Sequence, residues 1–256
     1  MSARLAGLGV VVTRPASAAE PLAAALEREG ARVWRFPALA IEAIEPSTEL
    51  AARLARLAQF DLAVFVSANA VERGLATAGR FSPWPAKLET AAVGEATAQA
   101  LRAAGIGNVI SPSDRHDSEA LLELRRLQAV QGQNIIVFRG EGGREQIRET
   151  LQARGANVEY AECYRRVRPQ ADAAPLAAAL ARGEIHAVSV LSGETLEGFV
   201  AMIGREAAAS LATVTLLVPH PAVGAHREAK RFARVVLAPH GAAGLAEALV
   251  QLRVTT

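Results

Sequence analysis

Asp61-Leu62-Ala63-Val64-Phe65-Val66-Ser67-Ala68-Asn69-Ala70-Val71 reads as a short apolar strand, a polar turn and the start of a helix. The chain says nearly the same again at His186-Ala187-Val188-Ser189-Val190-Leu191-Ser192-Gly193-Glu194-Thr195-Leu196. The echo persists downstream, where Ala92-Val93-Gly94-Glu95-Ala96-Thr97 faces Val218-Pro219-His220-Pro221-Ala222-Val223, slipped by one residue. Each copy predicts a strand, a turn, a helix, a second strand and a second helix. A period this long is too large for a solenoid unit. It implies two similar α/β halves, and such a pair makes a cleft in which a ligand can be held.

Outward from the first copy, strands are expected over 62–66, 90–93, 109–111, 134–139 and 158–160, with helices near 48–58, 69–79, 95–104, 118–130 and 143–154. Before it come a strand over 9–14 closed by Pro15, a helix from about 17 to 29 ending at Gly30, and a strand over 31–36. After it come helices at about 173–182, 194–203, 222–231 and 243–252, alternating with strands at 187–191, 214–218 and 234–237. Unbroken alternation of this kind means parallel strands with right-handed helical crossovers.

The C-terminal part has only three strands, too few for a full doubly wound sheet, and the N-terminal piece supplies two more. The simplest arrangement is a discontinuous α/β domain over 1–37 plus 169–256 with an α/β domain inserted at 46–160. The run 38–45, flanked by Pro37 and Pro46, and the run 161–168, stopped by Pro169, then form an extended two-stranded hinge. This is preferred to one continuous sheet or two sequential domains.

Hydrophobic residues make up 51 % of the chain and charged ones 21 %, which suits buried cores rather than disorder. The 28 basic and 26 acidic residues nearly cancel, and every base except Lys87 and Lys230 is an arginine, whose planar fork fits carboxylates and phosphates. Cys163 is the only cysteine, so an internal disulfide and a thiolate metal cluster are both excluded. A reducing compartment fits. The start of the chain lacks a signal-peptide pattern, and no stretch approaches the roughly 18 apolar residues of a membrane span. The expectation is a soluble, cytoplasmic protein with no membrane partner.

Nucleic-acid binding is poorly supported, because aromatics are only 4 % and the charges are interspersed rather than massed. The histidines assemble into nothing: His220 and His226 do not share a helix face, and His116 sits in a polar loop where it is expected to be solvated. HExxH and GxSxG motifs are absent.

Gly140-Glu141-Gly142-Gly143-Arg144 follows a strand and opens a helix, at the carboxyl edge where parallel sheets bind ligands. Glycines let a backbone approach an anion, and Arg139 and Arg144 flank the loop; the alternative is a solvated turn. It is not a nucleotide loop, since GxxxxGK[ST] is missing and Glu145 stands where GxGxxG needs its last glycine. Ser67-Ala68-Asn69, Gly94-Glu95-Ala96-Thr97 and Thr13-Arg14-Pro15 lie at equivalent junctions, where hydroxyls cap helices or contact ligands.

Together these pieces resemble the uroporphyrinogen-III synthase family over nearly the whole chain. The carrying motifs are Val11-Val12-Thr13-Arg14-Pro15, Phe65-Val66-Ser67-Ala68-Asn69-Ala70-Val71, Ala92-Val93-Gly94-Glu95-Ala96-Thr97-Ala98, Phe138-Arg139-Gly140 through Gly143-Arg144, and Tyr164-Arg165-Arg166. The resemblance implies two flavodoxin-like parallel-sheet domains joined by a two-stranded ladder, with substrate in the cleft and no cofactor or metal. It implies cyclisation of linear hydroxymethylbilane, a tetrapyrrole precursor with eight carboxylates, with loss of water and inversion of the terminal pyrrole. The family's tyrosine falls on Tyr164, the expected proton donor, which its connector position should hold between the domains and outside either core. Substrate contacts are expected from Arg14, Ser67, Asn69, Gly94, Thr97, Arg139, Gly140, Arg144 and Ser192. One departure stands out: the second Gly-x-x-Thr motif reads His220-Pro221-Ala222-Val223, without its hydroxyl. A hinged clamshell needs no partner subunit, so a monomer is expected. The competing readings are a non-catalytic two-lobed binding protein for a small anion and a regulatory α/β module; the missing signal peptide counts against the first.

Overall fold

Short strands, among them the four-residue apolar runs Gly9–Val12 and Leu62–Phe65, alternate with helices along the chain. The computed structural model describes residues 3–113, Arg115, 117–238 and 241–254. Strand Gly9–Val12 (β1) leads through helix Ala16–Arg28 (α1) to strands Arg32–Arg35 (β2) and Ala40–Ala43 (β3). Helix Thr48–Ala55 (α2), strand Leu62–Phe65 (β4), helix Ala68–Ala78 (α3), strand Glu89–Ala92 (β5), helix Glu95–Ala103 (α4) and strand Val109–Ile110 (β6) follow. Then come helices Ser118–Glu123 (α5) and Arg125–Gln128 (α6), strand Asn134–Gly140 (β7), helix Gln146–Ala153 (α7) and strand Asn157–Val167 (β8). The remainder is helix Ala174–Ala181 (α8), strand Ala187–Ser189 (β9), helix Gly193–Ala209 (α9), strand Thr215–Val218 (β10), helix Pro221–Gly224 (α10), strand Arg234–Leu237 (β11) and helix Ala242–Val254 (α11).

The chain divides into two compact units, one of residues up to Ala40 with those from Val167 onward, the other of Ile41–Arg166. In the first unit the sheet order is β11-β10-β9-β1-β2, all parallel. Counted within the unit this is 2-1-3-4-5, the flavodoxin-like order of a doubly wound sheet. Strand alternation sorts β1 between two cores. Val11 packs with Leu176, Leu196 and Phe199 from α8 and α9, while Val10 and Val12 pack with Leu22, Leu26, Leu245 and Leu249 from α1 and α11.

The second unit has the sheet order β3-β8-β7-β4-β5-β6, in which β4 to β8 are parallel. Counted from β4, those five run 3-2-1-4-5 in reverse sense about the β4–β7 pair, so this sheet reverses its winding between β4 and β7. Ala63 and Phe65 face the core formed with α2, α3 and α4, and Leu62 and Val64 face the core formed with α5 and α7.

Three segments differ from what periodicity alone suggests. The run 161–168, read as a separate connector, continues β8 as far as Val167: β7 pairs with it up to Tyr164, β3 lies beside it in the sheet, and Ile44 N–H donates to the Cys163 carbonyl. The helix expected over 118–130 breaks at Leu124, which is extended (φ −61°, ψ 133°) between α5 and α6. The helix expected over 222–231 shrinks to the four residues of α10 and a separate 3-10 turn, Arg227–Arg231. There, histidine side chains cap both pieces: His220 Nδ1 accepts from Ala222 N–H and His226 Nδ1 from Glu228 N–H. Gly30 closes α1 as expected, at φ +92°. His116 lies outside the described residues. Among the described residues no helix is long and apolar enough to cross a membrane.

The second unit is held at its centre by aromatic packing. The rings of Phe65 and Phe138, neighbours on β4 and β7, stack at 4.5 Å and 4°. Helix α3 approaches them through Gly74, where a Cβ would lie 2.7 Å from Phe138 Cδ1. Alanine favours a helix over glycine by about 1 kcal/mol, whereas overpacking a full core costs about 1–3 kcal/mol. Gly74→Ala is therefore expected to lower the urea midpoint. A midpoint at or above wild type would mean that the ring pair yields.

Candidate active site

A doubly wound sheet opens a crevice at the carboxyl ends of the two strands between which its winding reverses. In the second unit those strands are β4 and β7. Ser67 follows β4 and caps α3, its Oγ accepting from Ala70 N–H at 3.1 Å. Gly140 ends β7 and is buried. The third residue at this edge is Tyr164, whose hydroxyl lies 3.0 Å from Ser67 Oγ.

Tyr164 is not outside the cores, as its connector position suggested. It is 1 % exposed and packs in the core that contains Phe65 and Phe138. A change of register in β8 is the cause. Val158 and Tyr160 face one core, Ala161 and Cys163 the other, so strict alternation would send Tyr164 to the Tyr160 side. The ladder pairs Arg139 with Glu162 but Gly140 with Tyr164, leaving Cys163 without an opposite number. One extra residue reverses the parity of all that follows. Tyr164 thereby turns toward Ser67.

The glycines of the 140–143 loop are explained largely by packing. A Cβ on Gly140 would lie 2.6 Å from Tyr164 Cε2, and one on Gly143 would lie 2.5 Å from Arg139 Nη2. Gly142 adopts φ +69°, which a turn can ask of glycine at little cost. Arg139, expected to bind substrate, is instead 3 % exposed and committed internally. Its Nη1 donates to Glu145 Oε1 at 2.9 Å and to the Arg144 carbonyl at 3.3 Å, and its Nε to the Gly140 carbonyl at 3.2 Å. It holds the loop closed from inside. Arg144 is exposed and its side chain makes no ion pair with a described residue, so it remains able to meet an anion.

Tyr160, which carried no signal in the sequence, organises the other face of β8. The guanidinium carbons of Arg139 and Arg148 lie 4.2 and 3.5 Å from its ring centroid. Its hydroxyl donates to Glu145 Oε2 at 3.0 Å. Burial works against the Glu145 carboxylate, but bonds from Tyr160 and Arg139 outweigh it and hold its pKa below the ordinary value. A groove of about 590 Å³ beside this cluster is lined by six glutamates, among them Glu141, Glu145, Glu159 and Glu162, against Arg53 and Arg148. Its charge suits a polyanion poorly.

Helix α4 begins at the neighbouring edge, with Gly94 at its N-cap and buried Thr97 in its first turn. Asn69 is exposed on the first turn of α3.

In the first unit the winding reverses between β1 and β9, and Thr13 Oγ1 bridges the gap by donating to the Ser189 carbonyl at 2.7 Å. Arg14 follows, half-buried, with a buried Nε that has no partner. Burial lowers its pKa, whereas Arg4, Arg35, Arg115 and Arg182 are all raised by bonded glutamates. Arg14 is thus a desolvated cation without a carboxylate, at the carboxyl edge of the first sheet. Ser192 caps α9 just as Ser67 caps α3, accepting from Thr195 N–H at 3.1 Å. Val223 packs against the core of this unit. Among the described residues, no group of three or more His, Cys, Asp or Glu side chains is placed to hold a metal ion.

The fold and its edges define a two-unit α/β protein of parallel sheets, with capping hydroxyls and uncommitted arginines at their carboxyl ends. Sequence comparison is specific about which one. A family model described as uroporphyrinogen-III synthase HemD matches residues 20–246. The uroporphyrinogen-III synthase of Escherichia coli K12 is 36 % identical over 197 residues, 77 % of this chain and 80 % of that protein. That of Salmonella typhimurium LT2 is 37 % identical over 191 residues, 74 % of this chain and 78 % of that protein. The fold is shared with a mutant uroporphyrinogen III synthase of Thermus thermophilus at a TM-score of 0.62 and 19 % identity, covering 96 % of this chain and 99 % of that one. The chain belongs to the uroporphyrinogen-III synthase family.

Cys163 adjoins Tyr164 and reports on how well this edge is sealed. Burial pushes its thiol pKa up to about 12, partly offset by a bond with Thr77. Only the thiolate is a good nucleophile. At pH 8 the native thiol is therefore expected to resist an aromatic disulfide reagent that labels it at once in urea. Rapid labelling of the native protein would show that this core opens readily.

Proposed function

We propose that the carboxyl edges of the two sheets carry the family's activity, with Tyr164 and Ser67 acting together on the leaving group. The chain cyclises linear hydroxymethylbilane to uroporphyrinogen III in tetrapyrrole biosynthesis, losing water and inverting the terminal pyrrole ring. The observation that carries the residue assignment is the 3.0 Å bond between the Tyr164 hydroxyl and Ser67 Oγ at the point where the second sheet reverses.

Tyr164 is buried and Ser67 only half-buried, so Ser67 is the hydroxyl that reaches the substrate. As the terminal C–O bond breaks, Ser67 gives its proton to the departing oxygen and Tyr164 replaces it. Water leaves, and the N–H proton that the pyrrole loses in becoming a reactive azafulvene returns by way of Ser67 to the Tyr164 phenolate. A phenol is a weak acid at neutral pH, which fits a reaction needing only modest help. The bilane closes unaided to the uninverted isomer, so the enzyme's main task is to choose which atoms meet, and positioning does that. Dehydration and ring closure are redox-neutral and call for no redox cofactor.

The eight carboxylates of the bilane are matched by cations and by N–H groups at helix starts. Arg14 and Arg144 supply the charge, supported by their lack of carboxylate partners. Ser67, Asn69, Gly94, Thr97 and Ser192 contribute from the first turns of α3, α4 and α9. Arg139 and Gly140 shape the loop rather than touch the ligand. Interspersed charge and a lone reduced cysteine support a monomeric cytoplasmic enzyme with no nucleic-acid partner.

Freshly prepared hydroxymethylbilane, with porphyrin isomers separated after oxidation, is expected to give isomer III from the wild type. Tyr164→Phe should lower kcat by about 100-fold while the product stays type III and thermal stability is kept. Wild-type turnover from the Phe enzyme would remove Tyr164 from the mechanism, and isomer I alone, at the uncatalysed rate, from the wild type would remove the activity. Arg144→Ala should raise KM more than it lowers kcat, because its contact exists before and during reaction. Added salt should weaken wild-type binding through the same exposed contact. An unchanged KM would reduce Arg144 to a turn residue.

A further inference from the structure

We propose that Gly140 is a positioning residue for the reaction: its missing side chain is the seat that holds the Tyr164 hydroxyl against Ser67. The inference rests on Tyr164 as proton donor, the reading given above, and adds what fixes that donor in place.

Gly140 does not need glycine for its backbone, since it is not among the glycines with positive φ. It needs glycine for space. A Cβ there would lie 2.6 Å from Tyr164 Cε2, 2.8 Å from Cζ and 3.1 Å from Cδ2, all along one edge of the ring up to the carbon that bears the hydroxyl. Real side chains do not approach so closely, and the ring has nowhere to go. It is 1 % exposed within a close-packed core, so displacement along its own plane carries the hydroxyl away from Ser67.

Two features lock the seat. The bulge opposite Cys163 brings Tyr164 into register with Gly140 and onto the Ser67 side of the sheet. Glu141 N–H then donates to the Tyr164 carbonyl at 2.8 Å, tying the backbone of the two strands just beyond the contact. From the far side, Arg139 binds the Gly140 carbonyl and the Arg144 carbonyl, which stops the strand end from retreating. Bulges beside active sites commonly re-aim a side chain in this way. The Gly140 seat limits where the re-aimed ring can stop.

The test is a cycle of variants read by steady-state kinetics and thermal melting. Gly140→Ala should lower kcat to about the level of Tyr164→Phe, roughly 100-fold, with KM changed by no more than about 2-fold. In Gly140→Ala/Tyr164→Phe the two losses should not multiply, because the second removes what the first displaces. Wild-type kcat from Gly140→Ala, or multiplying losses in the double variant, would overturn the proposal. Wild-type kcat from Tyr164→Phe alone would instead overturn the proton-donor reading, which separates the two failures. If Gly140→Ala is too unstable to assay, stability decides: in a Tyr164→Ala background, which empties the space, the alanine at 140 should leave the melting temperature of that background unchanged. An equal loss in both backgrounds would mean that Gly140 answers to something other than the ring.

Discussion

The ladder between β4 and β7 is the constraint on which the second unit depends. Its register pairs Phe65 with Phe138, and Val66 N–H donates to the Phe138 carbonyl as the strands end. That fixes where Ser67 leaves one strand and where Gly140 ends the other. The stacked rings beneath leave no room for the pair to slide, and Gly74 lets α3 close over them. Once both strand ends are set, β8 can add its bulge and bring Tyr164 to the same edge. A slip of one residue in this ladder would exchange the faces of every side chain on β7 and separate the three.

The arginines divide by whether a carboxylate already holds them. Arg35 bridges Glu20 and Glu27, Arg53 and Arg56 share Glu159, and Arg139 is bound to Glu145. Most such pairs are exposed and contribute little to stability. Arg14 and Arg144 are among the described arginines that no carboxylate holds, and these two lie at the carboxyl ends of the sheets. Arg139 shows the opposite use of the same residue type. Buried on the Tyr160 ring, it uses its Nε and Nη1 to fix a loop and leaves Nη2 unpaired.

Much of the architecture was legible in the residues. Strand and helix positions followed from apolar runs and their punctuation, because each element must bury one face whatever its neighbours are. The repeated Ser67 and Ser192 motifs both became helix caps, since a hydroxyl before a helix has the same donors to satisfy in each copy. The helices expected over 118–130 and 222–231 were overextended, because an extended residue at Leu124 and histidine caps at His220 and His226 leave no mark in hydrophobic period.

The site divides along the same line. Sequence alone determined the alternating α/β build, the polar residues at strand ends and the family to which they belong, because these depend on local pattern and on short motifs. Tertiary structure decided which of those residues stay exposed. The bulge that turns Tyr164 inward depends on how many residues β8 places opposite β7, and a strand's sequence does not state its partner's count. The commitment of Arg139 to Glu145 and the fit of Gly140 against a ring on another strand are likewise contacts that local pattern does not encode. Proximity of that kind exists only once the sheet has formed.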